Sequence, residues 1–235
     1  MRIIALCALA ALLAAPAAAP AAPAQERRFT VTDFNQVRLD GGYRVALETA
    51  RAPYAVATGN PAALDGVRMR VEGRTLIISA DRSNWSGRER DRAEPVAIRL
   101  GTHGLRRVWV NGSGLIDIDR VEGPSFGLAL QGAGRGTVGA LAVEQFDLAL
   151  NGAASARVAG EVEDATLIVR GMSLLDGEAL ESDRVTLGVE GPSTVTLGPA
   201  REARIDAVGT GEIMLAGRPS CELRLVGAPL VTGCR

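Results

Sequence analysis

An all-β solenoid of about 20 residues per coil is the fold class this sequence predicts, and three observations predict it. A glycine recurs at Gly112, Gly132, Gly152, Gly171, Gly191, Gly209 and Gly227, in steps of 20, 20, 19, 20, 18 and 18 residues. Before each glycine stands an alternating apolar pair: Val108/Val110, Leu128/Leu130, Leu148/Leu150, Leu167/Val169, Leu187/Val189, Ile205/Ala207 and Leu223/Leu225. Beyond residue 24, no segment holds a helical period for three turns before Gly or Pro interrupts it. Alternation with period two marks a strand with one buried face. A unit of about 20 residues built from such strands buries that face only by stacking on its neighbours. Seven coils with strands ~4.8 Å apart make a rod on the order of 30 Å long.

The chain opens with MRIIALCALAALLAAPAAAPAAPAQ: a basic Arg2, an apolar run to about Ala15, then small residues broken by Pro16, Pro20 and Pro23. That order reads as a secretory signal peptide over residues 1–24, cut after Ala24. The run is too short to span a bilayer, and no later stretch approaches the ~20 apolar residues needed. The expected product is a soluble exported chain beginning near Gln25. Cys7 lies inside the apolar run and not at its end, which disfavours a lipid anchor. Cleavage takes Arg2 with it and moves the formal charge from −1 to −2. A chain so nearly balanced lacks the basic face that nucleic acid requires. All 26 basic residues are Arg, as a GC-rich codon bias produces, so Schiff-base, Ser-Lys and P-loop chemistry are excluded.

Residues 25–95 are strand-like with a blurred repeat and are expected to form irregular coils that cap one end of the rod, where strand edges would otherwise be unpaired. Within them Val71 to Ser79 reads as two strands joined by a tight Glu-Gly turn. Asp81 to Pro95 carries seven charged residues after Asp81 and reads as a surface loop. Regular coils occupy residues 96–235. No linker separates two domains, so residues 25–235 read as one.

Each column of the repeat has its own logic. Glycine suits a corner that bends with positive φ and leaves little room for a Cβ. The residue before it is Asn111, Gln131 and Asn151 in three successive coils, an expected amide ladder. A second apolar pair follows the corner at Ile116/Ile118, Ala156/Val158, Val195/Leu197 and Ile213/Leu215. The outward column reads Trp109, Ala129, Ala149, Ile168, Gly188, Asp206, Arg224, and its first five members make a smooth strip. Cys221 and Cys234 are candidates for a disulfide in an oxidising compartment, worth about 3 kcal/mol in the chain-entropy model; two buried thiols are the alternative.

Chemistry is sparse. The single His103 stands in a turn, and no nucleophile elbow accompanies it. Asp117 and Asp119 follow two glycines, but a calcium-binding roll repeats its acids coil after coil, and the corresponding positions of the next two coils, Ala133 to Val138 and Ala153 to Val158, carry no Asp. The segment from Gly132 to Gly136 lacks the Lys and helix of a phosphate cradle. No catalytic, cofactor or metal residue is assigned. What remains is a surface: Arg107 and Trp109 on one strand, near a loop holding Trp85, Arg88, Arg90 and Arg92. Trp and Arg are the residues most enriched in binding hot spots, although a Trp that packs the loop onto the first coil has the same pattern.

FNQVRLDGGYRVAL, GVRMRVEGRTLIIS and LRRVWVNGSGLIDID, in that order, resemble the bacterial GIN domain family, the head domain of autotransporter adhesins. The resemblance runs from about Phe29 to the C-terminus. It implies a right-handed parallel β-helix in an exported, envelope-associated protein, here without a membrane β-barrel of its own. The expected role is binding, adhesion-like or structural, in the periplasm or at the cell surface, with no cofactor. Its expected partner is an envelope component, a glycan or a second copy meeting the smooth strip or the rod ends. The alternative is a β-helix lyase or hydrolase acting on a polysaccharide. Such an enzyme needs clustered carboxylates in an aromatic-lined cleft, and two Trp, two Tyr and four Phe supply little lining.

Overall fold

The computed structural model describes residues 25–81 and 95–235. In chain order the elements are β1 (Gln25–Phe29), β2 (Gln36–Asp40), β3 (Arg44–Glu48), β4 (Tyr54–Gly59), helix α1 (Pro61–Asp65), β5 (Val67–Glu72), β6 (Thr75–Ala80) and β7 (Ala97–Gly101). There follow β8 (Arg107–Gly112), β9 (Leu115–Ile118), β10 (Val121–Gly132), β11 (Arg135–Gly152), β12 (Ser155–Gly171), β13 (Leu174–Glu190), β14 (Thr194–Gly209), β15 (Glu212–Ala216), β16 (Ser220–Gly227) and β17 (Leu230–Thr232). Parallel strands stack about 20 residues apart into a β-solenoid of about six turns.

The columns read from the sequence are the register. Val108, Leu128, Leu148, Leu167, Leu187, Ile205 and Leu223 face one another in unbroken succession from β8 to β16. The corner glycines have φ between +89° and +109°. A Cβ on Gly171 would stand 2.5 Å from the Gly152 carbonyl oxygen one coil back, so both conformation and space demand glycine there.

The middle coils have one more inward run than the glycine-flanking pairs suggest. In β11 the buried positions are Gly136 and Val138, then Leu141 and Val143, then Phe146, Leu148 and Leu150. The alternation skips a beat twice, and each skip is a bend. The last run therefore holds three inward residues, and its first column reads Phe126, Phe146, Ala165, Val185, Ala203, Cys221. Phe126 and Phe146 stack with ring centroids 6.0 Å apart. At the glycine corner, the buried Ser173 and Ser193 hydroxyls donate to the carbonyls of Gly152 (3.2 Å) and Gly171 (2.8 Å), so neither buries an unmet donor.

The N-terminal part is more regular than its sequence. Val37 and Leu39 of β2 register with Val108 and Val110, and Gly41 lies against Gly112, so β2 and β3 continue the stack with the two runs that flank a corner. The chain then moves outward: β6 stacks on β2 and β7 on β3, before β8 returns to the inner side. Beyond them β5 pairs with β6, β4 with β7 and β1 with β4, all antiparallel. The predicted hairpin is β5 and β6, with Gly73 at φ +61° and Glu72 opposite Thr75, which places the turn at Gly73 and Arg74, one residue on. Helix α1 is too short to show a period; the Asn60 side chain caps it by accepting from the Ala62 amide at 3.0 Å.

The amide ladder does not form. Asn111 instead donates from Nδ2 to Asp40 Oδ1 at 2.6 Å, toward β2. At the other end, β16 pairs only with β14 and β17 only with β15 among the described residues. Cys221 and Cys234 are bonded, with Cα atoms 5.8 Å apart, and the bridge ties the start of the last coil to its end.

Candidate functional site

Trp109 points outward because Val108 and Val110 on either side point inward. Its register neighbours are Arg38 on β2 and Ala129 on β10. Arg107, two residues earlier on the same face, lies across Gly127, where a Cβ would stand 3.2 Å from its Nε. The Arg107 guanidinium carbon is 5.6 Å from the centre of the Trp109 ring, within cation–π range. Small residues on β10 therefore let two large side chains lie along the surface.

Around Trp109 the structure forms an open basin of about 470 Å³, lined by Arg38, Glu72, Thr75, Ile77, Trp109 and Asn111. Its polar walls are held by their neighbours. Arg38 Nε donates to Asp40 Oδ1 at 3.1 Å, Arg70 Nε to Glu72 Oε1 at 2.6 Å, and Thr75 Oγ1 to Gln36 Oε1 at 3.2 Å. One aromatic face with fixed donors and acceptors beside it is suited to stacking on, and hydrogen-bonding to, a polar ring. The sequence pointed to Arg107 and Trp109 but not to the β2, β5 and β6 walls. Aligning Gly41 with Gly112 would have set Arg38 beside Trp109 and Asp40 beside Asn111. The other predicted surface residues, Trp85, Arg88, Arg90 and Arg92, lie outside the described residues.

From this basin the outward column runs through Ala129 and Ala149 to Ile168, 37% exposed, and Gly188. Beside the strip, at the level of Ile168 and Gly188, and beyond it toward β16, opposite charges meet across coils: Arg170 with Glu190 (3.2 Å), Arg184 with Asp164 (2.6 Å for the Nη2–Oδ2 contact), Arg204 with Glu222 (2.6 Å) and Arg224 with Asp206 (3.9 Å). The Arg184 hydrogen bond holds the Asp164 carboxyl below its ordinary range and pushes the guanidinium up in turn.

A second depression, about 690 Å³, lies where the acids of neighbouring coils fall into register. Glu161 is directly opposite Glu181, and Glu144, Glu163 and Asp183 line the same groove, where Asp183 pairs with Arg201 at 3.2 Å. Stacking brings these acids side by side. Among the described residues, no aromatic side chain lines the groove.

The other candidates are structural. His103 Nδ1 is 3.1 Å from Asp33, which also pairs with Arg74 at 3.2 Å. Asp119 accepts from the backbone amides of Thr49 (3.0 Å) and Arg120 (2.7 Å), fastening a turn. Among the described residues, no group of three or more His, Cys, Asp or Glu is arranged to hold a metal, and no helix is long and apolar enough to cross a membrane.

The model of the family described as "Putative auto-transporter adhesin, head GIN domain" matches residues 33–219. Among solved structures, a "putative adhesin" from Bacteroides fragilis is similar with a TM-score of 0.80 at 16% identity, covering 90% of this chain and 97% of that one. A "putative adhesin" from Parabacteroides merdae gives 0.70 at 16% identity, covering 88% and 95%. A "putative lipid binding protein" from Parabacteroides distasonis gives 0.67 at 18% identity, also covering 88% and 95%. No curated protein matches the chain. At such identities the solved structures establish the fold. Because the family model spans most of the sequence, the chain belongs to the GIN domain family of adhesin heads.

Proposed function

We propose that this protein is an exported, non-enzymatic binding module of the bacterial cell envelope, in the periplasm or at the cell surface, and that it engages an envelope glycan through the Trp109 basin. The observation that carries this reading is the basin itself: one half-buried Trp, with Arg38, Glu72 and Asn111 around it, at the head of a smooth strip. Membership in a family of adhesin heads supports adhesion-like binding. The Cys221–Cys234 bridge favours an oxidising compartment, in keeping with the leader-like residues 1–24. A glycan array probed with the full chain tests the reading. Wild type binds at least one glycan class, and Trp109→Ala weakens that binding about 30-fold, as loss of an aromatic anchor does, with the melting curve kept. Binding of no glycan by wild type, or equal binding by Trp109→Ala, would overturn it.

The register of Glu161 with Glu181 favours one competing reading, a glycan-cleaving enzyme. Parallel neighbours lie ~4.8 Å apart, close to the ~5–5.5 Å between the carboxyls of retaining glycosidases. Among the described residues that groove has no aromatic platform for a sugar, and in the present reading Glu161→Gln and Glu181→Gln leave glycan binding unchanged.

A further inference from the structure

The two ends of the rod are finished differently. At the N-terminal end the outermost strands are antiparallel additions with charged exposed positions, Glu26, Arg27 and Arg28 on β1 and Arg68 and Glu72 on β5. Charges on an edge discourage further pairing. At the C-terminal end no antiparallel strand is added beyond β16 among the described residues. Leu223 and Leu225 of β16 continue the core columns of the earlier coils, yet they are 41% and 44% exposed, and Leu230 of β17 is 56% exposed. The far edge of β16 pairs with no described strand. An apolar strand with an open edge is the feature that folded proteins ordinarily cover.

The sequence of β16, Ser-Cys-Glu-Leu-Arg-Leu-Val-Gly, is self-complementary when reversed about Leu223. In an antiparallel pairing with a second β16 centred there, Leu223 faces Leu223, Cys221 faces Leu225, and Glu222 faces Arg224 on both sides of the two-fold axis. Moving the centre by one residue, to Arg224, sets Arg224 against Arg224. The favoured register also prolongs an existing pattern. Arg204 pairs with Glu222 at 2.6 Å and Asp206 with Arg224 at 3.9 Å, so charge already alternates along both columns toward the open end. A partner's Arg224 after Glu222, and a partner's Glu222 after Arg224, continue both alternations without a break.

We propose that the C-terminal end of the solenoid is covered by the same end of a second copy, through antiparallel β16–β16 pairing in the Glu222–Arg224 register. Such a contact is isologous and closes as a two-fold dimer, whereas head-to-tail stacking would grow a filament. It lies at the opposite end of the stack from Trp109, so it stands or falls independently of glycan binding.

Light scattering on the purified full chain, with the bridge intact, tests it. Wild type has twice the single-chain mass at micromolar concentration and dissociates on dilution. Arg224→Glu and Glu222→Arg each place like charges opposite one another twice, and each weakens self-association by about tenfold or more. Mixed in equal amounts, the two variants regain a dimer near wild-type strength, because the Glu pair of one faces the Arg pair of the other. Circular dichroism shows both variants folded. Wild type at single-chain mass throughout the micromolar range would overturn the proposal. So would a dimer that both variants retain, or variants that stay monomeric when mixed.

Discussion

Two glycines of neighbouring coils, Gly171 and Gly188, separate conformational need from mere tolerance. Gly171 has φ +89° and a neighbouring carbonyl oxygen 2.5 Å from where a Cβ would stand. Gly188 has no atom within 4 Å of that position. Gly171→Ala is expected to cost about 3 kcal/mol, combining the left-handed penalty with a backbone shift, while Gly188→Ala is neutral or slightly stabilising. Urea denaturation of the two variants distinguishes them. Asp164 gives a pH signature at the same scale. The Arg184 hydrogen bond lowers its carboxyl pKa in the folded state, so its contribution is present above the ordinary aspartate pKa and is lost as pH falls through the lowered one. Asp164→Asn should therefore melt below wild type at pH 7, with the gap closing in strong acid. The corner glycines were legible because only one residue type suits them. Ser173 and Ser193 were not, because a buried hydroxyl at a corner looks like any other turn serine until its carbonyl partner is placed.

At the scale of the element, cost depends on where a coil sits. Leu167 is fully buried between coils on both sides, whereas Leu225 has a coil on one side only. Leu167→Ala should cost about 2–5 kcal/mol, and Leu225→Ala less than about 1 kcal/mol in the separated chain. The bridge compensates at the exposed end: Cys234→Ser with Cys221→Ser should lower stability by about 3 kcal/mol, measurable by denaturant titration. The strands from β8 to β16 could be read in the sequence because their spacing varies by only two residues. The third inward run escaped because its buried pair, such as Leu141 and Val143, is short and out of phase with the rest. The coil of β2 and β3 escaped for a topological reason. Asp40 and Asn111 touch across a sequence separation of 71, with the outer strands inserted between them, so the periodicity is broken in sequence but intact in space.

For the whole molecule, stacking turns one-dimensional columns into faces, and the function proposed above belongs to a face. The Trp109 end of the smooth strip was visible as the exception to its column, Trp where later coils place Ala. The basin around it was not visible, because its walls come from strands that precede β8 in the chain but lie beyond it in the stack. The acidic groove comes from the same stacking: Glu161 and Glu181, one repeat apart in the chain, become neighbours in the register of β12 and β13. Since they are like charges directly opposed, Glu181→Gln should raise the melting temperature slightly, the reverse of what removing a salt bridge does. The central claim is that this face holds a glycan without changing it. Incubating the best array ligand with the full chain and measuring glycan chain length by mass spectrometry tests that claim most directly. The account predicts that the ligand is bound and recovered at its original length, and a shortened or unsaturated product, abolished by Glu161→Gln or Glu181→Gln, would contradict it.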